Sequence, residues 1–266
     1  IGLSYLRALG IDRHTETQPA GAIGAFGEGV STYEMAGAYS AFANQGIYVE
    51  PYMYTRVLDQ DGRVLLENKP EMRQVFSPET AYIVTDILQD AVENVFWFEP
   101  GRLDNQISAG KTGTTDDVID TWYCGYTPYY TGAVWYGYDN NNGRRTSVPD
   151  IDRYNGMGIW TDVMNKIHEG KETMEFEQPA NVVSRTICTT TGLLSNPYCN
   201  ETTTELFDRS RSNFPSHTCD LHRAPTPTPA PTEEPTDPEV PSETEEPDPG
   251  PEPTKIDPPT EEPTTP

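Results

Sequence analysis

From Pro225 to Pro266 almost every residue is Pro, Thr, Glu, Asp or Ser, with one basic residue, Lys255, and no aromatic. Such a stretch cannot bury enough apolar surface to offset the entropy of ordering its backbone, so it is expected to be extended and disordered. That bounds the fold. Whatever packs must do so within about Ile1 to His222, which is still long enough for a real core. The chain starts at Ile1 rather than Met and is read as a fragment or a processed piece.

The formal net charge of −24 argues against a nucleic-acid partner, because phosphate binding needs a basic face. No apolar run reaches the length of a membrane span, and no signal peptide is visible. Of the four cysteines, Cys124 sits alone in an apolar run, where a buried small side chain is expected. Cys188, Cys199 and Cys219 cluster beside the Pro/Thr tail, which points to an oxidising exterior. Three thiols cannot all pair internally. Cys188–Cys199 and Cys199–Cys219 are both open as disulfides, and sequence does not choose. Cys219 and His222 also have a C-x-x-H spacing. Zinc sites usually bring two close-spaced pairs and only one is present, so neither a metal nor a cofactor is expected. The four histidines show no triad or metal-triplet spacing, and packing or solvent roles are expected for them.

Leu3, Leu6 and Ala8 before Gly10 predict the end of a helix. Pro19 to Gly29 reads as a Gly-rich loop. Ser31 and Glu34 form a capping box for a helix carrying Met35, Tyr39 and Phe42, closed by Gly46. Gln60-Asp61-Gly62 turns a hairpin between Tyr54–Leu58 and Arg63–Glu67. Ser77 and Pro78 open a second helix with the stripe Val84, Ile87, Leu88, Ala91 and Val92. Phe96, Trp97 and Phe98 then fall in a loop, where a satellite cluster and a cleft lining are both compatible with three consecutive aromatics. Three strands follow, Gln106–Thr114, Thr121–Tyr126 and Gly132–Tyr138, and their short links make them antiparallel neighbours. A last helix over Gly156–His168 carries Trp160, Val163, Met164 and Ile167. The expected class is α/β of the α+β type, an antiparallel sheet covered by helices.

Within the first of these strands, Ser108 to Thr115 reads SAGKTGTT. One cation, Lys111, stands beside Gly113 and the hydroxyls of Thr112, Thr114 and Thr115. A fixed positive charge, close backbone and hydroxyl donors suit an anionic ligand lying along a strand edge. An exposed Lys is also a common sheet-edge device, so this stretch alone does not decide the matter.

Its flanks do. AGKTGTTDD, DTWYCGYTP and TGAVWYGYDN, in that order, resemble the end of the transpeptidase domain of penicillin-binding proteins, most closely the class A, bifunctional type of Gram-positive bacteria. GVSTYEMAGAYSAFANQGIYVEP and VFSPETAYIVTDILQD are similar to segments that lie earlier in that domain. The resemblance runs from about Leu3 to Gly170. ICTTTGLLSNPYC resembles an extension that follows the domain in Gram-positive members. This implies a penicillin-binding protein and serine β-lactamase-like transpeptidase fold, partial here, over residues 1–175. A Cys-containing extension over 176–223 and the disordered tail over 224–266 complete the chain.

Such enzymes use Ser-x-x-Lys, Ser-x-Asn and Lys-Thr-Gly motifs. Only the third is recognised here, so the nucleophilic Ser and its Lys are expected upstream of Ile1, and the chain alone is expected to be inactive. The resemblance implies that Lys111 holds the terminal carboxylate of a D-Ala-D-Ala stem peptide or of a β-lactam. Thr112 and Thr114 would donate hydroxyl hydrogen bonds, Gly113 would admit the substrate backbone, and the N–H of Thr114 would form half of the oxyanion hole. Asp120 and Trp122 match the strand pattern with packing and register as their expected role, and Thr115, Asp116 and Asp117 form a polar turn. The implied partners are peptidoglycan stem peptides and β-lactams at the outer face of the cell membrane, with any membrane contact through an N-terminal anchor. A D,D-carboxypeptidase, a β-lactamase-like hydrolase and a non-catalytic wall-binding module are the rival readings, and the tail's partner is left open.

Overall fold

A computed structural model of the chain describes residues 1–12, 19–95, 101–139 and 146–225. The aromatic run Phe96–Phe98 and the tail after Pro225 lie outside the described residues.

Three antiparallel strands form the sheet that organises the fold: β5 (Ala109–Thr114), β6 (Asp120–Tyr126) and β7 (Thr131–Gly137), in that spatial order. The first begins at Ala109 rather than Gln106. Gln106 and Ser108 spend their side chains on loop carbonyls instead, those of Glu172 at 2.5 Å and Gly101 at 3.0 Å. Side chains alternate across β6. Tyr123 faces α4 (Asn155–His168), its ring edge-on to Trp160 at 5.1 Å. Tyr126 faces the other way, 6.5 Å from the ring of Tyr39 on α2 (Thr32–Ala43) and 2.9 Å from Thr85 Oγ1 on α3 (Pro78–Asp90). Helices therefore cover both faces of the sheet, as the sequence predicts.

The helix starts follow their caps. Ser31 Oγ accepts from the N–H of Glu34 at 3.2 Å while Glu34 returns a carboxylate to the N–H of Ser31 at 2.7 Å. Ser77 Oγ accepts from Thr80 N at 3.2 Å, with Pro78 in the first turn. The buried faces only partly follow the expected stripes. On α3 the most buried residues are Ala81 and Thr85; of the stripe, Val92 is buried just past the helix, Val84, Leu88 and Ala91 are half-buried, and Ile87 is 60% exposed. Thr85 tolerates burial because its hydroxyl donates to Ala81 O at 2.8 Å or meets Tyr126 Oη. On α4 Met157, Trp160 and Met164 go inward, whereas Val163 and Ile167 are exposed.

Before the sheet, α1 (Gly2–Ala8) joins α2 through stacked aromatics. Tyr5 lies 5.5 Å from Phe76, and Phe76 lies 4.9 Å from Phe42. The predicted hairpin forms as β2 (Arg56–Leu58) and β3 (Val64–Glu67), with every residue exposed. It sits inside a longer pairing that sequence did not indicate, β1 (Ile47–Val49) with β4 (Met72–Gln74). After α4, β8 (Val182–Cys188) and β9 (Thr202–Asp208) make an antiparallel pair in the extension.

Candidate functional site

β5 is the edge of its sheet, and the direction of its backbone groups follows from one bond. Thr115 N–H donates to Asp120 O at 3.1 Å, toward β6. In an antiparallel ladder successive residues alternate between facing the partner and facing away. Ala109, Lys111 and Gly113 therefore turn their N–H groups to β6, and Gly110, Thr112 and Thr114 turn theirs to the open edge. The carbonyl of Thr112 lies on that edge too, where Lys111 Nζ donates to it at 2.9 Å.

Side chains follow the opposite logic. Lys111 pairs with Cys124 and Gly113 with Trp122, so these four share one face of the sheet. That face forms one wall of a groove of about 560 Å³. The Gly-rich loop and α2 form the other wall through Ile23, Phe26, Val30, Met35 and Tyr39. Lys111 and Thr114 are exposed at its rim, Thr112 and Gly113 half-buried. Lys111, Thr112, Gly113 and Thr114 are thus brought together. Gly113 also has a packing reason to be Gly, because a Cβ there would meet Trp122 Cβ at 3.3 Å. Cys124, 2% exposed, lies behind the groove, and burial pushes its thiol up to about 12.

The polar turn after β5 is tight. Asp117 and Val118 both adopt positive φ, at 58° and 53°, the left-handed region that a β-branched residue rarely enters. Val118 is held there by its own N–H to Thr115 O at 3.1 Å and by Val148 N–H on its carbonyl at 2.8 Å. Beyond the turn, Asp120 accepts from Trp135 Nε1 at 2.9 Å and Trp122 lies opposite Trp135. Both residues thus fix the β6–β7 register, as expected.

One expectation needs correction. Ser108-Ala109-Gly110-Lys111 does have the Ser-x-x-Lys spacing, which the expectation of an upstream nucleophile overlooked. It is not a catalytic pair. Residues three apart share a face on a helix but lie on opposite faces of a strand. Ser108 is 6% exposed and donates to Gly101 O, while Lys111 is exposed on the groove side. No serine lines the groove among the described residues. The site can hold an anionic, extended ligand through a cation, hydroxyls and free edge amides, in the manner of an added strand.

The disulfide candidates Cys188, Cys199 and Cys219 converge in the extension as free thiols. His222 joins them through its Nδ1. His168 does pack: Nδ1 meets Met164 O at 2.7 Å and Nε2 meets Thr127 Oγ1 at 3.0 Å.

Residues 10–169 match the family described as penicillin binding protein transpeptidase domain, and residues 178–224 the one described as penicillin-binding protein 1A, C-terminal domain. Penicillin-binding protein 1A of Clostridium botulinum is 35% identical over 195 residues, 72% of this chain and 23% of that protein. Penicillin-binding protein 1F of Bacillus subtilis is 40% identical over 147 residues, 53% of this chain and 20% of that protein. The chain spans less than a quarter of the length of these two relatives. The crystal structure of penicillin-binding protein 1A from Haemophilus influenzae superimposes with a TM-score of 0.68 at 23% identity, over 82% of this chain and 37% of that one, a likeness of fold.

Proposed function

Because the chain belongs to the penicillin-binding protein transpeptidase family, we propose that it forms the Lys-Thr-Gly wall of a serine D,D-transpeptidase that cross-links peptidoglycan. The observation that carries this reading is the open edge of β5, with Lys111 at its rim and the Thr112 and Thr114 amides turned outward. An extended stem peptide ending in D-Ala-D-Ala fits that edge as an added strand, its carboxylate on Lys111 and the Thr112 and Thr114 hydroxyls.

In the proposed reaction a Ser Oγ attacks the penultimate D-Ala carbonyl and gives up its proton to a neighbouring base. The oxyanion that forms is held by the Thr114 N–H and by the N–H of that Ser. The C–N bond breaks, the proton passes to the departing D-Ala amine, and an acyl-enzyme remains. An amine of a second stem then takes the acyl group. Splitting one difficult step into two is the gain of covalent catalysis. The Ser and its Lys come from outside these 266 residues. We assign residues 1–175 to the transpeptidase domain, 176–223 to the Cys-containing extension and 224–266 to a tail. The two matched families, which meet between residues 169 and 178, support the first boundary. A glycosyltransferase domain and a membrane anchor ahead of Ile1 would place the site at the outer membrane face. Among the described residues no helix is long and apolar enough to cross a membrane.

The test is covalent labelling of the full-length protein by a fluorescent penicillin. Lys111→Ala should slow acylation roughly 10- to 100-fold, the loss of a charged hydrogen bond. Unchanged labelling of that variant would remove Lys111 from the site. The 266-residue chain alone should stay unlabelled. Stable acylation of it would place the nucleophile inside it and overturn the assignment.

A further inference from the structure

Cys188 ends β8, Cys199 lies in the link from β8 to β9, and Cys219 and His222 belong to the last described segment. One ligand atom from each, three sulfurs and an imidazole nitrogen, all lie within 4.8 Å of one another. His222 Nδ1 is 3.4 Å from Cys188 Sγ and 3.4 Å from Cys219 Sγ. Tetrahedral zinc with sulfur near 2.3 Å and nitrogen near 2.0–2.1 Å sets neighbouring ligand atoms roughly 3.5–3.8 Å apart. Cys188 and Cys219 are buried, Cys199 and His222 half-buried. A disulfide would use two of the sulfurs and leave the third and the imidazole without a role.

The backbone holds this convergence from several directions. Cys188 N–H donates to Leu193 O at 2.8 Å, and Gly192 N–H returns to Cys188 O at 2.8 Å. Cys219 N–H donates to Leu194 O at 2.7 Å. Asn196 reaches three of the four residues. Its side-chain amide donates to the carbonyls of Cys219 and His222, at 2.7 and 2.8 Å, and its backbone N–H points at Cys199 Sγ at 3.3 Å. Amides aimed at a ligand sulfur and carbonyls clamped behind the ligands are what orients a metal's first shell.

The extension buries few apolar side chains of its own. The two clusters of buried hydrophobics include no residue after Met164 among the described residues. Only Val182 and Cys188 are buried on β8, and no residue of β9 is. A two-stranded pair with so little burial is marginal in water, and small units commonly gain a staple.

We infer that Cys188, Cys199, Cys219 and His222 are the four ligands of one structural zinc ion, which ties the end of β8 to the Cys219–His222 turn. The donor set holds no carboxylate, which excludes calcium and magnesium, and three sulfurs with one imidazole suit zinc. Four protein ligands leave no open position, so the role is structural. None of the four lines the Lys111 groove, and metal binding is therefore tested apart from acyl transfer.

The experiment is elemental analysis of the full chain, expressed with zinc and purified under reducing conditions without chelator. One zinc ion per chain is expected. Cobalt exchanged into the same site should show a thiolate charge-transfer band and the intense d–d absorption of a tetrahedral centre. Cys219→Ser and His222→Ala should lose the metal, while His217→Ala and Cys124→Ser, outside the cluster, should keep it. The wild-type stoichiometry and the cobalt spectrum stand even if a ligand variant fails to fold. A chain without stoichiometric metal, a Cys–Cys bond in its place, or full zinc retention by Cys219→Ser would overturn the assignment.

Discussion

Gly125 and Gly132 stand directly opposite each other across β6 and β7, and the indole of Trp160 lies over both. A Cβ at Gly125 would come within 2.7 Å of Trp160 Cζ2, and one at Gly132 within 2.9 Å of Trp160 Nε1. The paired glycines are the slot into which α4 docks. Gly125→Ala and Gly132→Ala should each cost about 1–3 kcal/mol through overpacking. Trp160→Ala should cost about 3–5 kcal/mol. In the Trp160→Ala background the Gly132→Ala cost should shrink, because the two changes share a contact, while Met164 Cε, also 2.9 Å from that Cβ position, remains. Urea denaturation of the four proteins measures this, and simple additivity would show that Trp160 does not fill the slot.

That slot also shows what was legible in the sequence. Alternation and turn residues mark β5, β6 and β7 to within a few positions, and caps mark the starts of α2 and α3. These signals are local. The stripes on α3 and α4 are less so, since Val163 and Ile167 are as apolar as their neighbours and only the partner surface decides which residues turn inward. The pairing of β1 with β4 joins residues 47–49 to 72–74 across an intervening hairpin, and no local pattern encodes it. The Lys111 wall was found through ordered motifs. The convergence of His222 with three cysteines was not, because its ligands come from separate segments and only Cys219 and His222 show a recognisable spacing.

Thr85 Oγ1 and Tyr126 Oη are 2.9 Å apart, and both residues are buried. Thr85→Val leaves the Tyr126 hydroxyl without that partner and should cost about 1–3 kcal/mol. Tyr126→Phe removes the other half of the pair. The double variant should cost less than the two single losses added together, since no polar group is then stranded. Additive costs in a double-mutant cycle would mean that each hydroxyl is satisfied elsewhere.

Burial of Cys124 makes a prediction about alkaline pH. Its folded-state value lies near 12, against about 8.5 for a free thiol. A raised value means that the stabilising contribution is complete below the unfolded value and fades as pH rises toward the folded one. Between pH 8 and 10 the wild type should lose roughly 2 kcal/mol that Cys124→Ala does not. Burial also raises Tyr39, Tyr123 and Tyr126, whose own losses set in near pH 10, so the comparison stops there. Denaturation midpoints against pH give the two slopes, and parallel slopes would refute a buried neutral thiol. The same burial should keep Cys124 unalkylated by iodoacetamide at pH 8 in the folded chain.

The alternation on β5 separates structural from functional amides residue by residue. Thr114 N–H faces the open edge, whereas Thr115 N–H bonds to Asp120 O. Proline at an edge position whose N–H faces outward removes no ladder bond. Thr114→Pro should therefore keep most of the stability of the chain, while Thr115→Pro should destabilise it by breaking the bond at the mouth of the β5–β6 turn. If the Thr114 amide is half of an oxyanion hole, Thr114→Pro in the full-length protein should slow penicillin acylation by about 10²–10³-fold. Thr114→Ala keeps the amide and removes only the hydroxyl, so its loss should be smaller, near the 0.5–1.5 kcal/mol of about one neutral hydrogen bond. Stopped-flow acylation with a fluorescent penicillin, run beside thermal melting, distinguishes the outcomes. Equal rates for Thr114→Pro and Thr114→Ala would show that the hydroxyl rather than the amide serves the reaction. A melting loss in Thr114→Pro as large as in Thr115→Pro would show that the Thr114 amide belongs to the sheet.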